Sequence, residues 1–122
     1  MKPYLQYFQS CDPLSISIAD FAKVEMKIGR ITSVEDIPQA RNPMYKLTVD
    51  LGDGVTKQCV AGIKKFYTPD ELHGKLVVAV VNLQPKSVAG VLSECMLLAA
   101  FNEEQLAVLK PDRDLSPGTK VA

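Results

Sequence analysis

Three kinds of side chain in this 122-residue chain could do chemistry: a single histidine, three cysteines, and a group of lysines and arginines gathered in its middle. His73 falls between Leu72 and Gly74 at the expected end of a short helix, where an imidazole meets the negative pole and is more often structural than catalytic. Cys59 and Cys95 lie in apolar runs that read as strands, so their thiols are expected as small buried hydrophobes rather than activated nucleophiles. With Cys11 they make an odd number without CxxC spacing, and one histidine beside them does not complete a common structural zinc site. They read as reduced thiols. The acid pairs Glu35-Asp36, Glu103-Glu104 and Asp112/Asp114 fall at loop edges, where solvated charge is usual. The sequence contains no GxSxG, P-loop, GxGxxG or HExxH motif. These residues imply a protein that is not an enzyme and needs no metal or cofactor.

The cations point to binding instead. Formal charge is zero, from 14 basic and 14 acidic residues, but the distribution is uneven. Residues 23–86 carry ten basic against seven acidic groups, and residues 87–122 carry three against five. Arg30, Arg41, Lys46, Lys57, Lys64, Lys65 and Lys86 fall in expected strands and their connections, a placement that suits phosphate contact with salt-dependent affinity. Zero net charge predicts modest rather than strong affinity for a polyanion.

The elements that must position these groups are mostly strands. Hydrophobic residues make up 47% and charged residues 23%, enough for one domain with a real core. Met26–Ile37 reads as a long strand whose alternation slips near Gly29-Arg30, as where a strand bends. Tyr45, Leu47, Val49 and Leu51 alternate with Lys46, Thr48 and Asp50. Gly52-Asp53-Gly54 then predicts a tight hairpin into Val55–Ala61. Thr68-Pro69-Asp70-Glu71 supplies a capping hydroxyl, a proline at the first helical position and a glutamate three residues after the cap, so a short helix follows until Gly74. Leu76–Leu83 is an aliphatic central strand, Asn82 to Ser87 a turn, Glu94–Phe101 and Leu106–Leu109 further strands. The N-terminal residues 1–18 read as a separate arm, with Tyr4, Leu5, Tyr7 and Phe8 at the spacing of a short helix. The order predicts an all-β, five-stranded Greek-key barrel of the OB type, with one helix between strands three and four. The residues Met1–Gln6 lack the apolar stretch and small-residue cleavage site expected of a signal peptide, and the longest aliphatic run, Leu76 to Val81, is far short of the roughly 20 residues of a membrane span. A cytoplasmic protein with no membrane partner is expected.

Two stretches are similar to a known family. Val24-Glu25-Met26-Lys27-Ile28-Gly29-Arg30-Ile31 resembles the opening of the tRNA-binding domain family of this barrel, and Val81-Asn82-Leu83-Gln84-Pro85 with Gly90, Ser93, Met96 and Leu97-Leu98-Ala99 resembles its second signature. The resemblance covers about residues 19–122. Asn42-Pro43 and Ala89-Gly90 are similar to the CsaA-like branch, described as export-related chaperones, rather than to the appendix of methionyl-tRNA synthetases. It implies a homodimer that recognises tRNA or tRNA-like RNA by shape, with Arg30, Arg41, Lys57, Asn82, Lys86, Ser93, Glu94 and Met96 as the contact set. It also leaves two alternatives, a chaperone for unfolded or preprotein peptides and an accessory subunit acting in trans with a synthetase. CsaA-like relatives often carry two arginines where Lys86-Ser87 stand here, so one phosphate contact is lost.

Overall fold

A computed structural model describes residues 14–122 of the chain. The expected arm helix around Tyr4–Phe8 lies outside the described residues. The first described helix, α1 (Ile18–Phe21), is capped by Ser17, whose hydroxyl accepts from the Asp20 backbone N–H at 3.0 Å.

The strands form where apolar residues alternate. They are β1 (Met26–Asp36), β2 (Tyr45–Asp50), β3 (Thr56–Ala61), β4 (Leu76–Val80), β5 (Lys86–Val88), β6 (Val91–Ser93), β7 (Met96–Leu97), β8 (Ala99–Phe101), β9 (Leu106–Val108) and β10 (Lys120–Val121). The main sheet is antiparallel in the order β3-β2-β1-β4-β7, and β10 pairs with β1. It curls into a nearly closed barrel, the all-β OB architecture that the order of elements predicts. Ile31, Leu47, Val49, Cys59, Leu72 and Val77 are fully buried at its centre. Met26, Ile28, Leu76 and Val80 are buried outside that cluster, on the opposite face of β1 and β4 by their alternation.

The β2–β3 hairpin turns through Gly52, Asp53 and Gly54, all at positive φ, as expected. The helix α2 (Pro69–Leu72) starts on a capping box: Thr68 Oγ1 accepts from Glu71 N at 3.3 Å and Glu71 Oε1 accepts from Thr68 N at 2.8 Å. Gly74 at φ 84° ends it, and its N–H donates to Ile31 O at 2.7 Å, tying the turn to β1.

Three details differ from the sequence expectation. The register of β1 slips at Thr32, between Ile31 and Ser33, rather than at Gly29-Arg30. Gly29 marks packing instead: a Cβ there would sit 2.4 Å from Val49 Cγ1. The expected single strand over Glu94–Phe101 is two, because β7 pairs with β4 while β8 pairs with β9, and the chain changes partner at Leu98. Residues Lys86–Ser93, which begin inside the turn expected over Asn82 to Ser87 and continue through residues given no element, form the β5–β6 hairpin. Its two-residue loop places Ala89 at φ 51° and Gly90 at φ 81°, the double positive φ of a tight hairpin turn.

Candidate nucleic-acid interface

β3 is the edge at which the barrel closes, so its backbone groups need partners. The end of β6 and the residue that follows it supply them largely from side chains. Val60 N donates to Ser93 Oγ at 3.1 Å, Gln58 N donates to Glu94 Oε1 at 2.9 Å, and Glu94 N donates back to Gln58 O at 2.7 Å. Ser93 Oγ also donates to Cys95 O at 3.3 Å, and Gln58 Nε2 donates to Leu92 O at 2.7 Å. Ser93 and Glu94, both expected as RNA contacts, therefore spend hydrogen bonds on closing the barrel. Ser93→Ala is expected to lower stability by about 1–2 kcal/mol, because it orphans a half-buried N–H. Thermal unfolding together with tRNA titration checks this: the melting temperature should fall while affinity per folded molecule is unchanged, and the reverse pattern would make Ser93 a ligand contact.

Asn82 is similarly occupied. Its Oδ1 accepts from Glu25 N at 2.9 Å and its Nδ2 donates to Lys23 O at 2.7 Å, fastening the chain that enters β1 to the chain that leaves β4. Met96 is exposed on β7 beside Val80.

The cations divide. Arg41 lies exposed in the β1–β2 loop, and Lys86 is exposed at the base of the β5–β6 hairpin opposite Ser93. One bond joins the two pieces: Gln39 Nε2 donates to Ala89 O at 3.0 Å, holding the β1–β2 loop against the hairpin tip. Gln39 was not among the expected site residues, and an isolated glutamine in a loop gives no sequence signal. In OB barrels the β1–β2 loop, the hairpin after strand four and the β2–β3 surface form the ligand-binding face. Lys46 and Lys64 at this end are paired with Glu35 at 3.4 Å and Asp36 at 2.9 Å. Arg41 and Lys86 have no ion-pair partner among the described residues.

Lys57 stands half-buried on β3, the strand bonded to β6. It is two residues from buried Cys59 on β3, and its charge bears on Cys95 at the closing seam. Arg30 is farther away, about 20 Å back along β1 from Asp36 at the strand's far end. Its Nη1 donates to Gly74 O at 2.8 Å. The expected contact set is thus not one patch.

Cys59 on β3 and Cys95 are buried free thiols, as expected, although Cys95 stands in the connection between β6 and β7 rather than in a strand. The sulfur of Cys59 first, and burial second, push the Cys95 thiol far above its ordinary value; Cys59 would lose its proton before Cys95 does, because the Cys95 thiol hydrogen-bonds to it. Neither faces solvent, so the pair fills space across the seam.

A curled antiparallel sheet with a capped helix between its third and fourth strands and two loops bonded together at one end defines an OB-type ligand-binding barrel. The model of the putative tRNA binding domain family matches residues 26–120, and the chain belongs to that family. It is 45% identical over 106 residues to a methionine–tRNA ligase of Thermococcus kodakarensis and 47% identical to that of Methanococcus aeolicus. These alignments cover 87% of this chain but 14% and 15% of the ligases. Among solved structures it superposes on the CsaA chaperone protein of Picrophilus torridus with a TM-score of 0.83 at 38% identity, covering 88% of this chain and all of that one. It superposes on a protein related to methionyl-tRNA synthetase from Pyrococcus horikoshii with a TM-score of 0.81 at 32% identity, covering 88% of this chain and 98% of that one.

Proposed function

We propose that this chain is a non-catalytic tRNA-binding module of the CsaA-like type, which meets RNA at the end of the barrel where the β1–β2 loop and the β5–β6 hairpin are joined. The observation that carries this is the Gln39–Ala89 bond, which sets two unpaired cations, Arg41 and Lys86, on one loop pair. Their side chains suit backbone phosphate, and phosphate contact recognises shape without reading sequence. The exposed Leu92, opposite Ser87 on the hairpin, and the polar positions Thr48 and Gln58 suit a surface that follows an RNA backbone rather than a closed pocket. Arg30, Lys57, Asn82, Ser93 and Glu94 act on the barrel that presents this end. A filter-binding titration against bulk tRNA at two salt concentrations tests the reading. Micromolar binding that weakens steeply with salt supports it, and weak, salt-insensitive binding sinks it.

The chain is proposed to act as a homodimer in the cytoplasm, where tRNA is found. Leu14, Ile16 and Ile18 lie exposed in sequence next to the arm, and Phe101, 79% exposed, tops the β8–β9 hairpin. A second copy docking on Ile16, Ile18 and Phe101 would bury these exposed apolar side chains. Sedimentation equilibrium at micromolar protein should give twice the 13.4 kDa chain mass; monomer alone would remove the dimer.

A second reading has its own support. The match to CsaA chaperone structures spans essentially their full length, and the same exposed apolar residues suit an extended peptide. In that case the chain would suppress aggregation of an unfolded client while tRNA binding stays weak. A role as an accessory subunit in trans with a synthetase would show instead as co-purification.

A further inference from the structure

A cleft of about 670 Å³ opens on the outer side of the barrel, away from the loop end proposed for RNA. It is bounded by the turn from α2 into β4 on one side and by the segment after β9 on the other, with Arg30 of β1 between them. Four cations line it, Arg30, Lys75, Lys110 and Arg113, drawn from three separate parts of the sequence, together with Asp112 and Asp114. The volume is that of a small-molecule site.

The cations are not consumed by ion pairs. Among the described residues the ion pairs are Lys23–Asp20, Lys46–Glu35 and Lys64–Asp36, and none involves a side chain of this cleft. The third lining carboxylate, Glu71, is held by the capping box through its Oε1. Arg30 is oriented by its bond to Gly74 O, made by one of five guanidinium N–H donors, so the remainder of its fork is left for a ligand. Four cations and three carboxylates leave the cleft with a net positive charge, and a phosphate oxygen set is the group that an arginine fork fits in bidentate fashion. Two aspartates on the same rim argue against a bare polyanion. They suit a ligand whose far end donates hydrogen bonds, as ribose hydroxyls or a base amino group do.

We infer that this cleft binds a single nucleotide, its phosphate among Arg30, Lys75, Lys110 and Arg113 and its sugar or base donors toward Asp112 and Asp114. The site does not depend on the Arg41–Lys86 end and stands or falls apart from the tRNA reading.

The test is a titration of the full ¹⁵N-labelled chain with adenosine 5′-monophosphate, followed by amide chemical shifts. Saturable shifts are expected at Gly74, Lys75 and Arg113, with an affinity in the millimolar range or tighter. Arg113→Gln, in an exposed loop, should weaken that binding by about tenfold, on the order of one charge-assisted contact. If tRNA displaces the nucleotide and Arg113→Gln also flattens the salt dependence of tRNA binding, the nucleotide belongs to the bound RNA. If tRNA neither displaces it nor is affected by Arg113→Gln, the ligand is a free nucleotide. Absence of saturable shifts at these three amides up to about 10 mM nucleotide, or shifts that Arg113→Gln and Lys110→Gln leave unchanged, overturns the inference.

Discussion

Replacing Arg41 and Lys86 together with alanine is expected to weaken tRNA binding about thirtyfold near physiological salt and to reduce the salt slope by about two. The magnitude follows from two phosphate contacts at roughly 1 kcal/mol each after solvent screening, since both side chains are exposed. The fold should be untouched. Neither side chain makes a hydrogen bond or ion pair among the described residues, and both stand on loop or hairpin positions rather than in the core. Gln39→Ala sharpens the test: it removes no charge but frees the β1–β2 loop from Ala89, so it should weaken binding severalfold without changing the salt slope. A slope that falls in Gln39→Ala, or stays unchanged in the double variant, would place the phosphate contacts elsewhere.

Gly118→Ala is expected to be strongly destabilising, lowering stability by about 3 kcal/mol and the melting temperature by roughly 12 °C. Gly118 has φ 94°, where an L side chain is strained, and its Cβ would lie 2.5 Å from the Leu51 carbonyl oxygen. That oxygen is backbone and has no rotamer by which to yield. Gly52, at φ 85°, faces the same crossing from the other side, with Pro117 O at 2.4 Å from its would-be Cβ. At this point the C-terminal segment passes over the β2–β3 turn with only backbone between them. Gly118 N donates to Ile28 O at 2.7 Å and Ile28 N donates to Thr119 O at 2.8 Å, after which β10 pairs with β1. The control is Gly54→Ala, which shares the positive φ, at 77°, but has open space around its Cβ. It should cost only about 1 kcal/mol, the conformational part alone. Equal effects of the two substitutions would show that the close crossing contributes nothing.

The barrel was legible because its strands announce themselves locally. Tyr45–Leu51 alternates, Gly52-Asp53-Gly54 turns, and Thr68 to Glu71 spells out a capping box, each a short-range signal with its own mechanism. The β5–β6 hairpin was not legible as such because its turn carries Ala89 where asparagine or aspartate usually marks a positive φ. The split at Leu98 depends on which strand lies opposite, which no local pattern encodes.

The candidate site was legible only in part, for the same reason. A sequence motif names residues that a family keeps near its ligand face without separating those that touch the ligand from those that build the surface. Asn82, Ser93 and Glu94 carry that motif and are bonded to this chain's own backbone. Gln39, which holds the two cationic pieces together, and the Lys75, Lys110 and Arg113 cleft come from positions far apart in sequence. Their meeting is a consequence of barrel closure. A net charge of zero likewise conceals two separate cationic places, one in the loops beyond the end of β1 and one beside Arg30 in its middle.

Amide mapping of the ¹⁵N-labelled chain against tRNA tests the central claim most directly. The account predicts that resonances of residues 38–42 and 86–93 shift or broaden first as tRNA is added, and that they recover as salt is raised. A response that leaves both segments unmoved while tRNA is bound would contradict it.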